Sequence, residues 1–203
     1  MDKTSNPAVL TALRQATAPL HERLDRLVDL DRSTSDREAY RCLLLAMLAG
    51  IAPVEASLRG FDWPGAGLDA EVAAWRTPLL RRDLEVLGPG AVAAPPEAAS
   101  PVPFPSRSAA FGALYVIEGA ALGGQVIFRQ ARERLGVTAS QGGSFHAAYG
   151  RPPVGEGWRR FRNALETHCL DTEAAVRAAT RTFLDLEARL ASLLSPMSAA
   201  ERA

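Results

Sequence analysis

Residues 111–128 read FGALYVIEGAALGGQVIF, and four glycines interrupt this apolar stretch: Gly112, Gly119, Gly123 and Gly124. The surrounding pattern is helical, and a glycine inside a helix costs about 1 kcal/mol relative to alanine. Gly119 and Gly123 are four residues apart, so they lie on one face of the helix and leave its backbone bare there. Either another helix packs closely on this face, or the bare backbone leaves room for a flat ligand.

Helical periodicity continues on both sides of this stretch, which belongs to a longer helix predicted over residues 106–135. Apolar residues recur every three or four positions over residues 10–27 and 176–193, which is typical of amphipathic helices. Shorter helices are predicted over residues 77–87 and 156–170. Because no alternating strand pattern of useful length occurs, the sequence predicts an all-α fold.

Two local signals bear on how these helices are connected. Ser35 and Glu38 have the spacing of a capping box, which predicts that a second helix starts at Ser35. Residues 88–105, GPGAVAAPPEAASPVPFP, are too rich in proline and glycine for regular structure. We interpret them as a loop inside a single domain of residues 1–203 rather than a linker, because neither half alone would form a sufficient core.

Composition excludes several classes of function. The chain has 203 residues, a formal net charge of +0 and no extended run of Lys or Arg, which argues against nucleic acid or an anionic membrane as partner. Cys42 and Cys169 form no CxxC pair, so we expect neither a disulfide framework nor a zinc motif. Residues 1–7 contain no apolar stretch typical of a signal peptide. The longest apolar run, residues 42–54, is shorter than the ~20 residues of a membrane span, so we expect a cytoplasmic protein.

The three histidines are the first candidates for chemistry. His21 lies at the edge of the apolar face of the first helix, and Asp25 follows one turn later, within reach of a ring nitrogen. Such a carboxylate orients an imidazole that binds a metal. Arg14 lies two turns earlier, about 10 Å along the helix axis. By this pattern alone, His21 could equally well be a metal ligand or a solvated boundary residue. We interpret His146 and His168 as surface or boundary histidines.

With these residues in place, the sequence resembles the heme oxygenase family, most closely its bacterial branch, over residues 13–165. In that family the heme lies between a proximal helix and a glycine-rich distal helix that bends over it. The similar segments are LRQATAPLHERLD (13–25, proximal helix), DREAYRCLLLAMLAGIAPVEASL (36–58), ALYVIEGAALGGQVI (113–127, distal helix), SFHAAYG (144–150) and GWRRFRNALE (157–166).

The resemblance implies a set of site residues. His21 is the expected iron ligand, with Asp25 as its partner, and His21, Gly119 and Gly123 are the expected catalytic positions. The residues expected to contact the heme or its propionates are Arg14, Thr17, Asp25, Tyr115, Gly119, Ala120, Gly123, Gly124 and Arg159. One departure concerns Ala120, since many family members carry an aspartate there that organises water on the distal side. Backbone carbonyls and ordered water are the natural substitutes.

The implied reaction is the O2-dependent opening of heme to biliverdin, with release of iron and carbon monoxide. Heme is both cofactor and substrate, and electrons must come from an external ferredoxin or reductase, because no flavin or nicotinamide motif is present. We also consider a photoreceptor that accepts biliverdin as a partner. Two other functions stay open: a heme-binding carrier or sensor without turnover, and a helical module whose glycine face packs on a partner protein.

Overall fold

The structure is a computed structural model that describes residues 7–68, 75–92, 101–148 and 153–200. The helices in these residues are α1 (Pro7–Val28), α2 (Leu30–Ser33), α3 (Arg37–Leu58), α4 (Thr77–Leu87), α5 (Arg107–Leu135), α6 (Val154–His168) and α7 (Thr172–Ala200). A 3-10 turn, Pro64–Ala66, lies between α3 and α4. The described residues contain no strand, and Thr138 forms only isolated bridges with Gln141 and Gly142. The predicted all-α class is confirmed.

Helix α3 lies in the middle of the core. Leu43, Leu44, Leu45 and Leu48 are each at most 1% exposed, and burying one leucine side chain contributes roughly 1.5–3 kcal/mol. Helix α7 packs against α1, α3 and α5, so the four longest helices enclose a common apolar interior.

Two glycines let α7 approach its neighbours closely. A Cβ atom on Gly112 of α5 would collide with the backbone carbonyl of Ala175 in α7. A Cβ on Gly50 of α3 would collide with the side chain of Leu186 in the same helix. At Gly112 the missing side chain therefore serves helix packing, which is one of the two interpretations of the glycine-rich stretch.

Local end signals predict α4 and α5 well. Helix α4 begins at Thr77 and ends before Gly88, whose φ of 80° suits glycine. Helix α5 begins after Ser106, whose hydroxyl accepts a hydrogen bond from the Ala109 N–H at 3.1 Å.

The predicted start of α3 is wrong, because the helix begins at Arg37 and its cap is one residue later than predicted. The cap is Asp36, whose carboxylate accepts from the Ala39 N–H at 2.8 Å, rather than Ser35. The Glu38 carboxylate does not close a capping box on Ser35 and instead accepts from the Ala91 N–H at 2.9 Å. A negatively charged cap also interacts favourably with the positive end of the helix dipole, which favours Asp36 over the neighbouring hydroxyl.

The proline-rich stretch is irregular wherever the structure describes it. Residues 88–92 and 101–105 contain neither helix nor strand, while residues 93–100 lie outside the described part of the chain. Arg41 of α3 holds the start of the stretch by donating to the carbonyls of Gly88 and Val92 at 2.9 and 2.8 Å. Helices from both sides of this loop pack together, since α1 and α3 contact α7. That residues 1–203 form a single domain stays a prediction.

Two helices, α3 and α5, are long and apolar enough to cross a membrane by length and composition. In α3, 78% of the apolar segment is buried inside the fold, so burial in the core explains the apolar composition of this helix without a membrane. The corresponding share in α5 is only 44%, and much of the uncovered apolar surface of α5 faces a cavity.

Candidate active site

A mostly apolar cavity of about 680 Å³ opens between α1 and α5. Its lining also includes Met47 and Ile51 of α3, Trp158 of α6 and Phe183 of α7. Helices α1 and α5 do not pack extensively on each other, so the cavity separates them. Its volume falls within the ~300–1,000 Å³ typical of sites for small molecules and cofactors.

His21 presents its imidazole to this cavity from α1. Its side chain is 58% exposed, and Nδ1 lies 2.9 Å from Oδ2 of Asp25, one turn further along the helix. A carboxylate accepts the Nδ1 proton, so the lone pair is then on Nε2 and available to a metal. The ring also lies against Phe183, with 6.1 Å between ring centroids. The imidazole is thus oriented from two sides yet accessible from the cavity.

The opposite side of the cavity is formed by residues 119–124 of α5, here called the glycine wall. Cβ atoms added to Gly119 and Gly123 would have no neighbouring atom within 4 Å among the described residues. Gly124 differs, because an added Cβ would lie 3.4 Å from Cδ2 of His146. Gly119 and Gly123 therefore leave open space in the cavity, a Cβ at Gly124 would make an ordinary contact with His146, and only at Gly112 does close helix packing exclude a side chain.

The cavity is chemically different at its two ends. Arg14 and Tyr115 line it near the start of α1, where the rings of Tyr115 and Trp158 are 6.0 Å apart. Val28 and Leu30 line it at the end of α1. His21 is seven residues from both Arg14 and Val28, which corresponds to about 10 Å in each direction. A ligand held at His21 would therefore meet a cationic group on one side and apolar groups on the other.

Most of the site residues expected from the sequence meet at this one cavity. Seven of them, besides His21, line it: Arg14, Asp25, Tyr115, Gly119, Ala120, Gly123 and Gly124. Thr17 and Arg159 are not among its lining residues in the described part of the chain. The Thr17 hydroxyl is buried behind the cavity, donates to the Leu13 carbonyl at 2.8 Å and lies 3.5 Å from the Tyr115 hydroxyl.

Sequence reasoning missed the contributions of Trp158 and Phe183 to the cavity. Phe183 fits the apolar repeat of α7, but the repeat alone does not distinguish a side chain in the core from one that borders a cavity. Trp158 is next to Arg159, and it is the tryptophan rather than the arginine that lines the cavity.

The interpretation of His146 as a surface or boundary residue is wrong. It is 3% exposed, and its Nδ1 lies 3.0 Å from the Tyr40 hydroxyl. Burial lowers the pKa of His146 to about 3, so its imidazole is neutral at physiological pH. Burial, with a contribution from Asp83, raises the pKa of Tyr40 and keeps its hydroxyl protonated. The backbone of His146 accepts a hydrogen bond from Gln125 at 3.0 Å and so supports α5 behind the glycine wall.

Comparison with known proteins finds relatives that are named heme oxygenase. The family model described as heme oxygenase matches residues 8–185. A curated protein named heme oxygenase, from Xanthomonas campestris pv. campestris (strain 8004), is 44% identical over 106 residues, which cover 51% of this chain and 56% of that protein. The matched part thus spans about half the length of the curated relative.

Two solved structures share the fold. The NO- and CO-bound heme oxygenase from Neisseria meningitidis superposes with a TM-score of 0.78 at 23% identity, covering 92% of both chains. Heme oxygenase from Leptospira interrogans gives a TM-score of 0.69 at 17% identity, covering 91% of this chain and 99% of that one. At these identities the likeness concerns the fold.

Proposed function

The chain belongs to the heme oxygenase family, and we propose that it opens heme oxidatively to biliverdin with release of iron and carbon monoxide. The observation that carries this proposal is the open space at Gly119 and Gly123, which faces an oriented histidine across one cavity. A glycine that assists helix packing has close neighbours at its missing Cβ, as Gly112 does. Gly119 and Gly123 have none among the described residues, which supports a bound ligand over a packing face.

His21 is the proposed iron ligand. The hydrogen bond from Nδ1 to Asp25 fixes the tautomer in which Nε2 can bind iron, and it makes the imidazole a stronger ligand. The imidazole of His21 already faces the cavity, so it needs no large movement to accept a planar ligand. Asp25 is accordingly proposed to orient His21 rather than to contact iron.

The polarity of the cavity suits heme, a flat molecule with two carboxylates on one edge. We assign the propionate edge to the end with Arg14 and Tyr115, and the apolar edge to the end with Val28 and Leu30. A charge-assisted hydrogen bond of this kind contributes roughly 1.5–3 kcal/mol when partly buried. Thr17 supports Tyr115 from behind, and Arg159 is a weaker candidate for a propionate partner because its side chain does not line the cavity.

When bound, heme supplies both the iron that activates O2 and the ring that is oxidised. The protein holds it from one side through His21 and limits the space on the other side with the backbone of Gly119 and Gly123. Ala120 also lines the cavity but has no side chain that can hold water or a proton. We propose that backbone carbonyls of the glycine wall and ordered water take this role.

The proposed reaction needs partners that supply electrons. An external ferredoxin or reductase fits, because the sequence contains no flavin or nicotinamide motif. We further propose that the protein is soluble and cytoplasmic, and that a photoreceptor is among the acceptors of its biliverdin.

A single-turnover experiment tests the proposal. The ferric heme complex is mixed with O2 and a ferredoxin–reductase pair, with catalase present to remove free peroxide. We expect the Soret band to disappear while biliverdin forms. A heme complex that persists under these conditions would refute the proposed enzymatic activity. The second candidate function, a heme-binding carrier or sensor without turnover, would then remain, and the presence of Ala120 instead of aspartate favours it.

A further inference from the structure

A buried ion pair joins the start of α4 to the middle of α5. Nη2 of Arg76 donates to Oε1 of Glu118 at 2.7 Å, and the two side chains are 2% and 6% exposed. Neither residue lines the cavity in the described part of the chain. The proposed chemistry therefore does not use either residue directly.

The arginine side of this pair is fixed to the central helix. Glu55 of α3 accepts hydrogen bonds from the Arg76 N–H at 2.5 Å, from the Thr77 N–H at 2.9 Å and from the Thr77 hydroxyl at 2.6 Å. Helix α3 is the most buried of the described helices, so the backbone at Arg76 is tied to the core of the fold. Helices α4 and α5 do not pack extensively on each other, so the guanidinium is a specific connection between them.

Glu118 directly precedes the glycine wall in α5. Val116 and Ile117 before it also line the cavity but are only 3% and 2% exposed, whereas Gly119 and Ala120 after it are half-buried. Glu118 is adjacent in the chain to Gly119, but its carboxylate is bound to Arg76 and is not among the groups that line the cavity in the described part of the chain.

We propose that Arg76 and Glu118 are positioning residues, whose ion pair fixes the helical turn from which the glycine wall extends over the cavity. A buried ion pair is weak evidence for stability, because an apolar pair of similar volume is often as stable. Its better attested use is to specify one arrangement among several. Gln125 holds the far end of the glycine wall at His146, whereas at the near end Gly119 provides no side chain that could fix the position of the helix, so an anchor at Glu118 completes its support. The inference rests on the proposed function in assigning heme to the face of this wall.

The test compares the wild type with Arg76→Met/Glu118→Met, which removes both charges together. Amide hydrogen exchange is measured first, in the heme-free protein. We expect the amides of residues 119–126 to exchange at least about tenfold faster, while those of residues 43–51 in α3 are unchanged. The matched control is Arg23→Met/Glu187→Met, which removes an ion pair between α1 and α7 that does not involve α5. It should leave exchange in residues 119–126 at the wild-type rate.

The same variants are then loaded with heme, and the CO complex and the biliverdin isomers are compared. The Arg76/Glu118 double variant should shift the CO vibrational band and change the isomer mixture. Unchanged exchange at residues 119–126, or exchange raised equally in α3, would overturn the inference. If the double variant does not fold, the same exchange measurements are made on Glu118→Asp, which keeps the charge but shortens the side chain. Failure of the wild type to open heme would refute the proposed function but leave the exchange result standing.

Discussion

Replacing Gly119 or Gly123 with alanine should stabilise the heme-free protein while weakening heme binding. A Cβ at either position meets no atom within 4 Å among the described residues, so the substitution creates no collision. Alanine is the better helix former by about 0.8–1.0 kcal/mol. For a chain of this size, 1 kcal/mol raises the unfolding temperature by roughly 2–4 °C.

The added methyl group would occupy the space assigned to heme. We expect an affinity loss of at least about tenfold, equivalent to about 1.4 kcal/mol, together with slower turnover. Gly119→Leu should act more strongly, because its side chain reaches further across the cavity towards His21. Urea and thermal unfolding of the heme-free variants give the stability, and heme titration followed at the Soret band gives the affinity.

Gly112→Ala is the matched control on the same helix. Its Cβ would collide with the backbone carbonyl of Ala175, which has no flexible side chain to move aside, so stability should fall by about 1–3 kcal/mol. The central expectation is that alanine lowers stability at Gly112 but raises it at Gly119 and Gly123. Destabilised Gly119→Ala and Gly123→Ala proteins, or stabilised ones with wild-type heme affinity, would refute the assignment of the wall to the ligand.

Further predictions concern individual side chains. His21→Ala should fold and bind heme without the wild-type axial ligand, and added imidazole should restore the spectrum; His168→Ala is the control, and an unaltered His21→Ala spectrum would exclude His21 as ligand. Arg14→Glu should lower heme affinity at least about tenfold, as expected for a lost charge-assisted contact, whereas Arg159→Glu should change it less; equal effects in a heme titration would contradict the cavity lining. The folded-state pKa of His146 is lowered from 6.5 to about 3, so below pH 6.5 the unfolded chain binds the extra proton and stability falls with falling pH. Between pH 7 and pH 5 this histidine should account for a loss of about 2 kcal/mol in urea unfolding, and His146→Phe should not show that part of the loss.

Local signals in the sequence are sufficient to predict a helix end where that end depends only on the residues next to it. The Thr77–Pro78 pair and Gly88 determine both ends of α4, because proline suits a first turn and glycine suits a positive φ. At the start of α3 such signals are not sufficient, because Ser35 and Asp36 are adjacent and both are good caps, so only the observed hydrogen bond to Ala39 distinguishes them.

Burial that depends on distant parts of the chain was not predictable in the same way. His146 lies in a non-periodic turn, and its burial arises from contacts with Tyr40 of α3 and with Gly124 of α5. The spacing of His21 with Asp25 and the spacing of the wall glycines are local and can be predicted from the sequence, whereas their placement across one cavity is implied only by the family resemblance. The contribution of Phe183 to the cavity lining cannot be predicted from the sequence, because it depends on how α7 packs across α1 and α5.

The glycines of α5 answer the question that the sequence left open, because they do not all serve the same purpose. Gly112 is required by the close approach of Ala175, whereas Gly119 and Gly123 cost helix stability without any packing benefit among the described residues. Together the latter two cost about 2 kcal/mol relative to alanine. A ligand present at 100 times its dissociation constant stabilises the folded state by about 2.7 kcal/mol, which exceeds that cost. The glycine pair is therefore destabilising in the heme-free protein but offset in the heme complex, and heme should raise the unfolding temperature of the wild type more than that of Gly119→Ala.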